Sequence, residues 1–275
     1  MLANMHQLNY CRNMSNNSQR TVFLKSSGEL LTGRPIESNE RHLWTPDGVR
    51  NISEKVARAH RKRGELAVQG LVLVSGAGNI IRGEALRSEG LANRYADVLG
   101  RLATLQNCFV LSEAFTRLDV NCQIFIAPGT EFSDGTAGKL PVYSAENVSQ
   151  AHEEGKIVLV AFGKGTDGNT TDEAVVYYAE DYAKAGHQVL ILKGTKHDGI
   201  FDKDPAKHGD AVRYRHITPQ RMRDLGLGGL DAQSLDALER SGLSMLVFAD
   251  GNHDLVALLD DQSTEIGTVV SDLER

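Results

Sequence analysis

The residues of this chain that could do chemistry are lysines, an arginine and aspartates set beside glycine turns. Lys25 runs into Ser26, Ser27 and Gly28; Gly76, Ala77, Gly78 and Asn79 lead to Arg82; Asp172 follows Thr170 and Thr171; Lys193 and Lys196 bracket Gly194 and Thr195, ahead of Asp198 and Gly199. Small residues let backbone N–H groups approach an anion closely, and a guanidinium can grip the same phosphate through two donors. Lysines beside such turns suit phosphate as point charges. The pattern points to phosphate chemistry, in which a moving phosphoryl group needs cations and backbone donors around it. Each signal has an ordinary counterpart: glycine is common where a strand turns into a helix, and lysines also end strands to stay solvated.

Elements must hold these groups in place. Thr21 to Gly28 reads as an apolar strand closing on Lys25, and Leu71 to Val74 as a strand buried on both faces that breaks at Ser75. Helical spacing predicts a helix over Val49–Arg63 and helix from Glu84 to Leu118, with Leu86, Leu91, Tyr95, Leu99, Leu102, Leu105 and Phe109 on one flank. Asp97 stands one turn before Arg101, so it reads either as half of an i,i+4 ion pair or as an acceptor for ribose hydroxyls. Asn121–Ala127 and Lys156–Phe162 read as strands, separated by a Gly/Pro-rich flap reaching Val142 and a helix that Ser144 caps. Gly163-Lys-Gly-Thr-Asp-Gly168 satisfies G-x-G-x-x-G between a strand and a helix, yet it follows at least three strands, where a dinucleotide fingerprint opens its domain. Gln188–Lys193, Leu243–Phe248 and Glu265–Val270 complete the strands, with helices over Thr170–Ala185, Thr218–Leu225 and Asp231–Ser241. Strands alternating with helices predict an α/β fold, a three-layer αβα sandwich around a mostly parallel sheet.

Composition narrows the function. A formal charge of −6 over 275 residues argues against a general nucleic-acid or anionic-membrane binder. Cys11, Cys108 and Cys122 form no C-x-x-C, and the nine histidines form no H-E-x-x-H, so reduced thiols and no structural zinc are expected. No apolar run reaches the roughly 18 residues of a membrane helix, and a cytoplasmic protein is expected. Residues 1–19, rich in Asn and Ser, read as a disordered leader in which Met14 offers a second start; a single domain over 20–275 follows.

Five motifs in order resemble the amino acid kinase superfamily, and within it the bacterial uridylate kinases. Lys25-Ser-Ser-Gly-Glu29 resembles K-x-S-G-E, Gly76-Ala-Gly-Asn-Ile-Ile-Arg-Gly83 resembles G-G-G-N-x-x-R-G, and Tyr95-Ala-Asp97-Val-Leu-Gly100-Arg-Leu-Ala-Thr104 resembles G-D-x-x-G-x-L-A-T. Thr170-Thr-Asp172 matches T-T-D, and Lys193 to Pro205 is similar to K-A-T-K-x-D-G-[VI]-[YF]-x-x-D-P. The resemblance implies transfer of the ATP γ-phosphoryl group to a nucleoside monophosphate, UMP first, with magnesium bridging the phosphates. By it, Lys25, Ser27 and Gly28 meet the ATP phosphates; Gly76, Ala77, Gly78 and Arg82 meet the donor and acceptor phosphates. Asp172 orients the lysines, of which either Lys193 or Lys196 is the second cation. Thr195, Phe201 and Asp204 hold adenosine, Asp97 takes the acceptor ribose, and Gly163, Lys164, Gly165, Thr166, Thr170 and Thr171 wrap its base. An acceptor-binding lobe over about 20–165, an ATP-binding lobe over about 166–275 and a hexameric homo-oligomer are implied too.

Departures cluster on the acceptor side. Lys164 to Asn169 replaces a run like T-G-N-P-F-F, and Ala77 stands where a second glycine is usual, at little cost only if its φ is negative. A changed acceptor, a small phosphate or acid, and a non-catalytic nucleotide-binding protein are the alternatives.

Overall fold

The computed structural model describes residues 19–32, 43–81, 83–132, 139–251, 253–260 and 266–272. The expected leader, except Gln19, and the tip of the flap therefore lie outside the described residues, as does Arg82.

The strands β1 (Arg20–Ser26), β2 (Val68–Ser75), β3 (Cys122–Ile126), β4 (Ile157–Ala161), β5 (Gln188–Thr195), β6 (His216–Ile217), β7 (Met245–Ala249) and β8 (Thr268–Val270) form one sheet in the order β3-β4-β2-β1-β5-β7-β8-β6. Every pairing is parallel except β7 with β8. Near-continuous Val, Ile, Leu and Phe make these strands apolar on both faces, so each face needs a helical cover. One face packs Val22, Leu24, Leu71 and Leu73 against helices α1 (Pro46–Arg61) and α3 (Asn93–Arg117). The other packs Phe23, Val72, Val74 and Ile191 against α4 (Ala145–Glu153), α5 (Thr171–Lys184) and α7 (Ala232–Ser241). The expected αβα sandwich is the observed fold. Shorter helices α2 (Gly83–Ser88), α6 (Pro219–Asp224) and α8 (Leu255–Leu259), with a 3-10 turn over Gly28–Thr32, complete the described elements.

Local chemistry sets the boundaries. Helix α1 begins at Pro46, earlier than periodicity suggests, because Thr45 accepts the Gly48 N–H at 3.1 Å and Pro46 occupies the first turn. The helical stretch from Glu84 breaks into α2 and α3 at Gly90, whose φ of 93° no helix accommodates. Thr170 caps α5 through the Glu173 N–H at 3.0 Å. None of the described helices is long and apolar enough to cross a membrane.

Candidate active site

Parallel pairing brings the chemistry to one edge of the sheet, because the strands of both glycine turns end there. Lys25 stands opposite Val74 on β2 and opposite Lys193 on β5, so the two lysines are sheet neighbours. Beyond them the Ser27–Gly28 and Gly76–Gly78 turns meet backbone to backbone: Gly76 N–H donates to Ser26 O at 2.9 Å, and a Cβ at Gly28 would lie 2.6 Å from Gly76 O and 2.3 Å from Asn79 Oδ1. Only glycine fits Gly28's place. Ala77 is not among the residues of positive φ, so the condition for an alanine in the second turn is met.

A buried amide network sets the turns from behind. Asn107 on α3, fully buried, donates to Gly76 O at 2.7 Å and to Asn79 Oδ1 at 2.8 Å, while its own Oδ1 accepts from Trp44 Nε1 at 2.8 Å. Sequence reasoning missed Asn107 and Trp44. The signal was an amide at a helical position whose neighbours Leu105, Cys108 and Leu111 are all core.

Asp172, in the first turn of α5, joins the lysines. Its Oδ1 lies 3.0 Å from Lys25 Nζ, and Oδ2 accepts a hydrogen bond from Lys193 Nζ. Burial works against its charge, but the two ammoniums outweigh it and hold the carboxyl below the usual carboxylate range. Burial likewise pulls Lys193 below the ordinary lysine value, with Asp172 opposing. The result is a buried cation–anion–cation bridge facing the glycine turns. Of the two candidate lysines the structure brings in Lys193; Lys196 lies past the end of β5 and is exposed.

Beside the bridge opens a cavity of about 390 Å³, lined among others by Lys25, Ser27, Gly28, Gly76, Ala77, Gly78, Asp97, Gly163, Thr166, Thr170 and Thr171. That size suits a mononucleotide-scale ligand. Three groups close its outer wall. Asp97 accepts from Arg87 Nη1 at 2.8 Å and from the Gly168 N–H at 2.8 Å; Arg101 pairs instead with Asp167 at 2.8 Å. The i,i+4 pair of Asp97 with Arg101 is thus not formed, because the loop after β4 offers each a better partner. Thr104 Oγ1 accepts the Phe162 N–H at 2.9 Å, fixing the loop's start, where Phe162 holds a left-handed φ of 67°.

Not every expected residue reaches the cavity. Lys164 turns away to Glu173 at 2.6 Å and lies 5.4 Å from the centre of the Tyr177 ring. Gly165 supports the loop from outside: at φ 82° its Cβ position would be 2.6 Å from Pro128 O. Thr195, Phe201 and Asp204 lie at and beyond the end of β5, outside this cavity. Thr195 donates to His197 O, Phe201 bridges to Arg213, and Asp204 accepts the Ala206 N–H at 2.9 Å. Arg87 and Arg101 are cavity-lining cations that sequence reasoning did not single out, although Arg101 sits one helical turn from Asp97.

Among the described residues no cluster of three metal-ligating side chains forms, and both Asp172 oxygens face ammoniums, so that carboxylate does not suit a divalent cation.

Known proteins agree with this architecture. The model of the amino acid kinase family matches residues 20–249. A uridylate kinase of Xanthomonas campestris pv. campestris is 30% identical over 257 residues, covering 94% of this chain and 98% of the relative. The crystal structure of UMP kinase from Ureaplasma parvum superposes with a TM-score of 0.75 at 25% identity, over 92% of this chain and 99% of that one. The UMP kinase structure from Bacillus anthracis gives 0.76 at 21% identity, over 93% and 97%. The five motifs, the αβα sheet and these relatives together make the chain a member of the amino acid kinase family.

Proposed function

We propose that this chain transfers the γ-phosphoryl group of ATP to a nucleoside monophosphate, converting UMP to UDP. The observation that carries the reading is the Lys25–Asp172–Lys193 bridge beside a mononucleotide-sized cavity that Lys25 lines and that is built on two joined glycine turns. An oxygen of the acceptor phosphate attacks the γ-phosphorus, the bond from phosphorus to the β,γ-bridging oxygen breaks, and ADP leaves with that electron pair. The acceptor oxygen is already ionised and needs no base. Accordingly Asp172 acts by holding both ammoniums toward the equatorial oxygens of the moving group, where positioning and charge carry most of the rate.

The remaining residues follow from the cavity. Backbone N–H groups of Ala77 and Gly78 face the acceptor phosphate, while that of Gly76 ties the turn to Ser26 O, and Thr170 and Thr171 line the path between phosphate and nucleoside. Each Asp97 oxygen keeps a lone pair beyond its present hydrogen bond, enough to accept from ribose hydroxyls. Magnesium bound with ATP would offset phosphate charge, and Lys25 and Lys193 supply the positive charge that this chain itself contributes. The reading also assigns the acceptor to the half built by residues 20–165 and ATP to the half built by 166–275, which contribute β3-β4-β2-β1 and β5-β7-β8-β6 to the sheet. A cytoplasmic homo-oligomer belongs to it too; the exposed Tyr95, Leu99 and Phe109 on α3 support assembly, and sedimentation velocity tests it.

The test is a coupled ADP-release assay with ATP and magnesium against UMP, CMP, dCMP, GMP and AMP. Turnover with UMP supports the reading. Silence with UMP but turnover with another acceptor would reassign the acceptor, and ATP binding without any turnover would make the chain a non-catalytic binder.

A further inference from the structure

Within the cavity, the charged groups facing a bound acceptor are not evenly matched to what a nucleotide presents. Ribose hydroxyls donate, and Asp97 is there to accept from them. A base edge presents either carbonyl oxygens, which accept, or amino groups, which donate. Arg101 lines the cavity with its side chain 18% exposed, whereas the carboxylate that holds it, Asp167, is 56% exposed and is not part of the lining. The cation therefore faces the ligand and its counter-ion faces water. A guanidinium carries five N–H donors; the bond from Nη1 to Asp167 takes one, leaving the fork's other donors for a partner in the cavity.

Resting on the phosphoryl-acceptor reading above, we infer that Arg101 is the residue that selects a keto-edged base. It donates to the carbonyl at C4 of uracil or C6 of guanine, and meets the amino group at the same position of cytosine or adenine with donor against donor. Asp167 is its positioning partner, and the hydrogen bond from Gly168 N–H to Asp97 together with that from Gln233 Nε2 to Gly168 O at 2.7 Å holds the Asp167 loop in place. Phosphate binding is left to the glycine turns and Lys25, so selection and chemistry use different side chains. Discrimination by a well-placed guanidinium is worth about 10- to 100-fold per base.

The experiment compares kcat/KM of the full chain for UMP against CMP and for GMP against AMP, in the wild type, Arg101→Met and Arg101→Lys. Arg101→Met should lower the keto-to-amino ratio about 10- to 100-fold, by weakening the keto acceptor while the KM for ATP stays put. Arg101→Lys keeps the charge opposite Asp167 but loses the planar fork, and should give an intermediate ratio. The two pairs separate the sources of the carbonyl, pyrimidine or purine. A wild type that uses UMP or GMP with a ratio unchanged in both variants would overturn the role of Arg101 alone. A wild type that uses none of the four acceptors would overturn the phosphoryl-acceptor reading and this inference with it.

Discussion

Asp172→Asn is the perturbation that separates charge from shape at the centre of the site. The asparagine fills the same space but leaves Lys25 and Lys193 adjacent with no anion between them. At an effective dielectric constant near 20, a pair of unit charges at 3.0 Å is worth about 5 kcal/mol, most of which offsets the burial of the carboxylate. Removing one partner of a buried pair costs about 3–5 kcal/mol, since the stranded charges stay behind. For a domain of this length that lowers Tm by about 10 °C. Phosphoryl transfer should fall about 1,000-fold as well, because neither ammonium is then held on the transferring group. A second substitution divides the two effects. In Asp172→Asn with Lys193→Met the like-charge repulsion disappears, so calorimetry should show most of the lost Tm returning while kcat falls to the level of Lys193→Met. If Asp172→Asn keeps kcat within about threefold of wild type, or if the double variant recovers activity together with Tm, the bridge is not what orients the lysines.

The remaining predictions are narrower. Lys193→Met should abolish turnover, whereas Lys196→Met should leave kcat within a few-fold, as steady-state assays of both would reveal. Burial pushes the Asp250 carboxyl up to about 7 against the pull of Lys25, Lys55 and the Ser27 N–H. The folded state therefore keeps a proton that the unfolded chain releases near pH 4, and stability from this group falls as pH rises from about 4 to 7. Asp250→Asn should thus stabilise the protein above pH 7 by up to about 4 kcal/mol in urea unfolding; equal stability there would contradict it. Burial also pushes His60 and His152 down to about 4, so the unfolded chain takes up protons first and stability is lost as pH drops from about 6.5 toward 4. In that window Asp250 works in the opposite sense, and Asp250→Asn should steepen the acid-side loss. Finally, Gly165→Ala places a Cβ against Pro128 O at a φ of 82°; the loop must shift, and the KM for the acceptor should rise while that for ATP does not.

Much of the fold was legible because parallel strands announce themselves as apolar runs ending in glycine, and helix starts as Ser144, Thr170 and Asp231 followed by amphipathic spacing. The glycine turns, Lys25 and Asp172 were legible for the same reason: strand ends in a parallel sheet collect on one edge. What sequence could not decide were choices among near neighbours. Lys193 and Lys196 are three residues apart, and only the register that sets Lys193 beside Lys25 separates them. Helical spacing brought Asp97 and Arg101 together, but a loop 66 to 71 residues away supplies the partners that win. Lys164 was read into the cavity, and Glu173, buried one turn into α5, draws it out. In each case a contact made by the folded chain, which residue types and spacing do not encode, decided the outcome.

The central claim is that the cavity beside the Lys25–Asp172–Lys193 bridge delivers an acceptor phosphate to the γ-phosphate of ATP. It is tested most directly by following label from the γ-phosphate of ATP in the presence of magnesium and UMP, in the wild type and in Lys25→Ala. The account predicts label in UDP, one UDP for each ADP formed, and loss of both products in Lys25→Ala. ADP formed without labelled UDP, or labelled UDP formed equally well by Lys25→Ala, would contradict it.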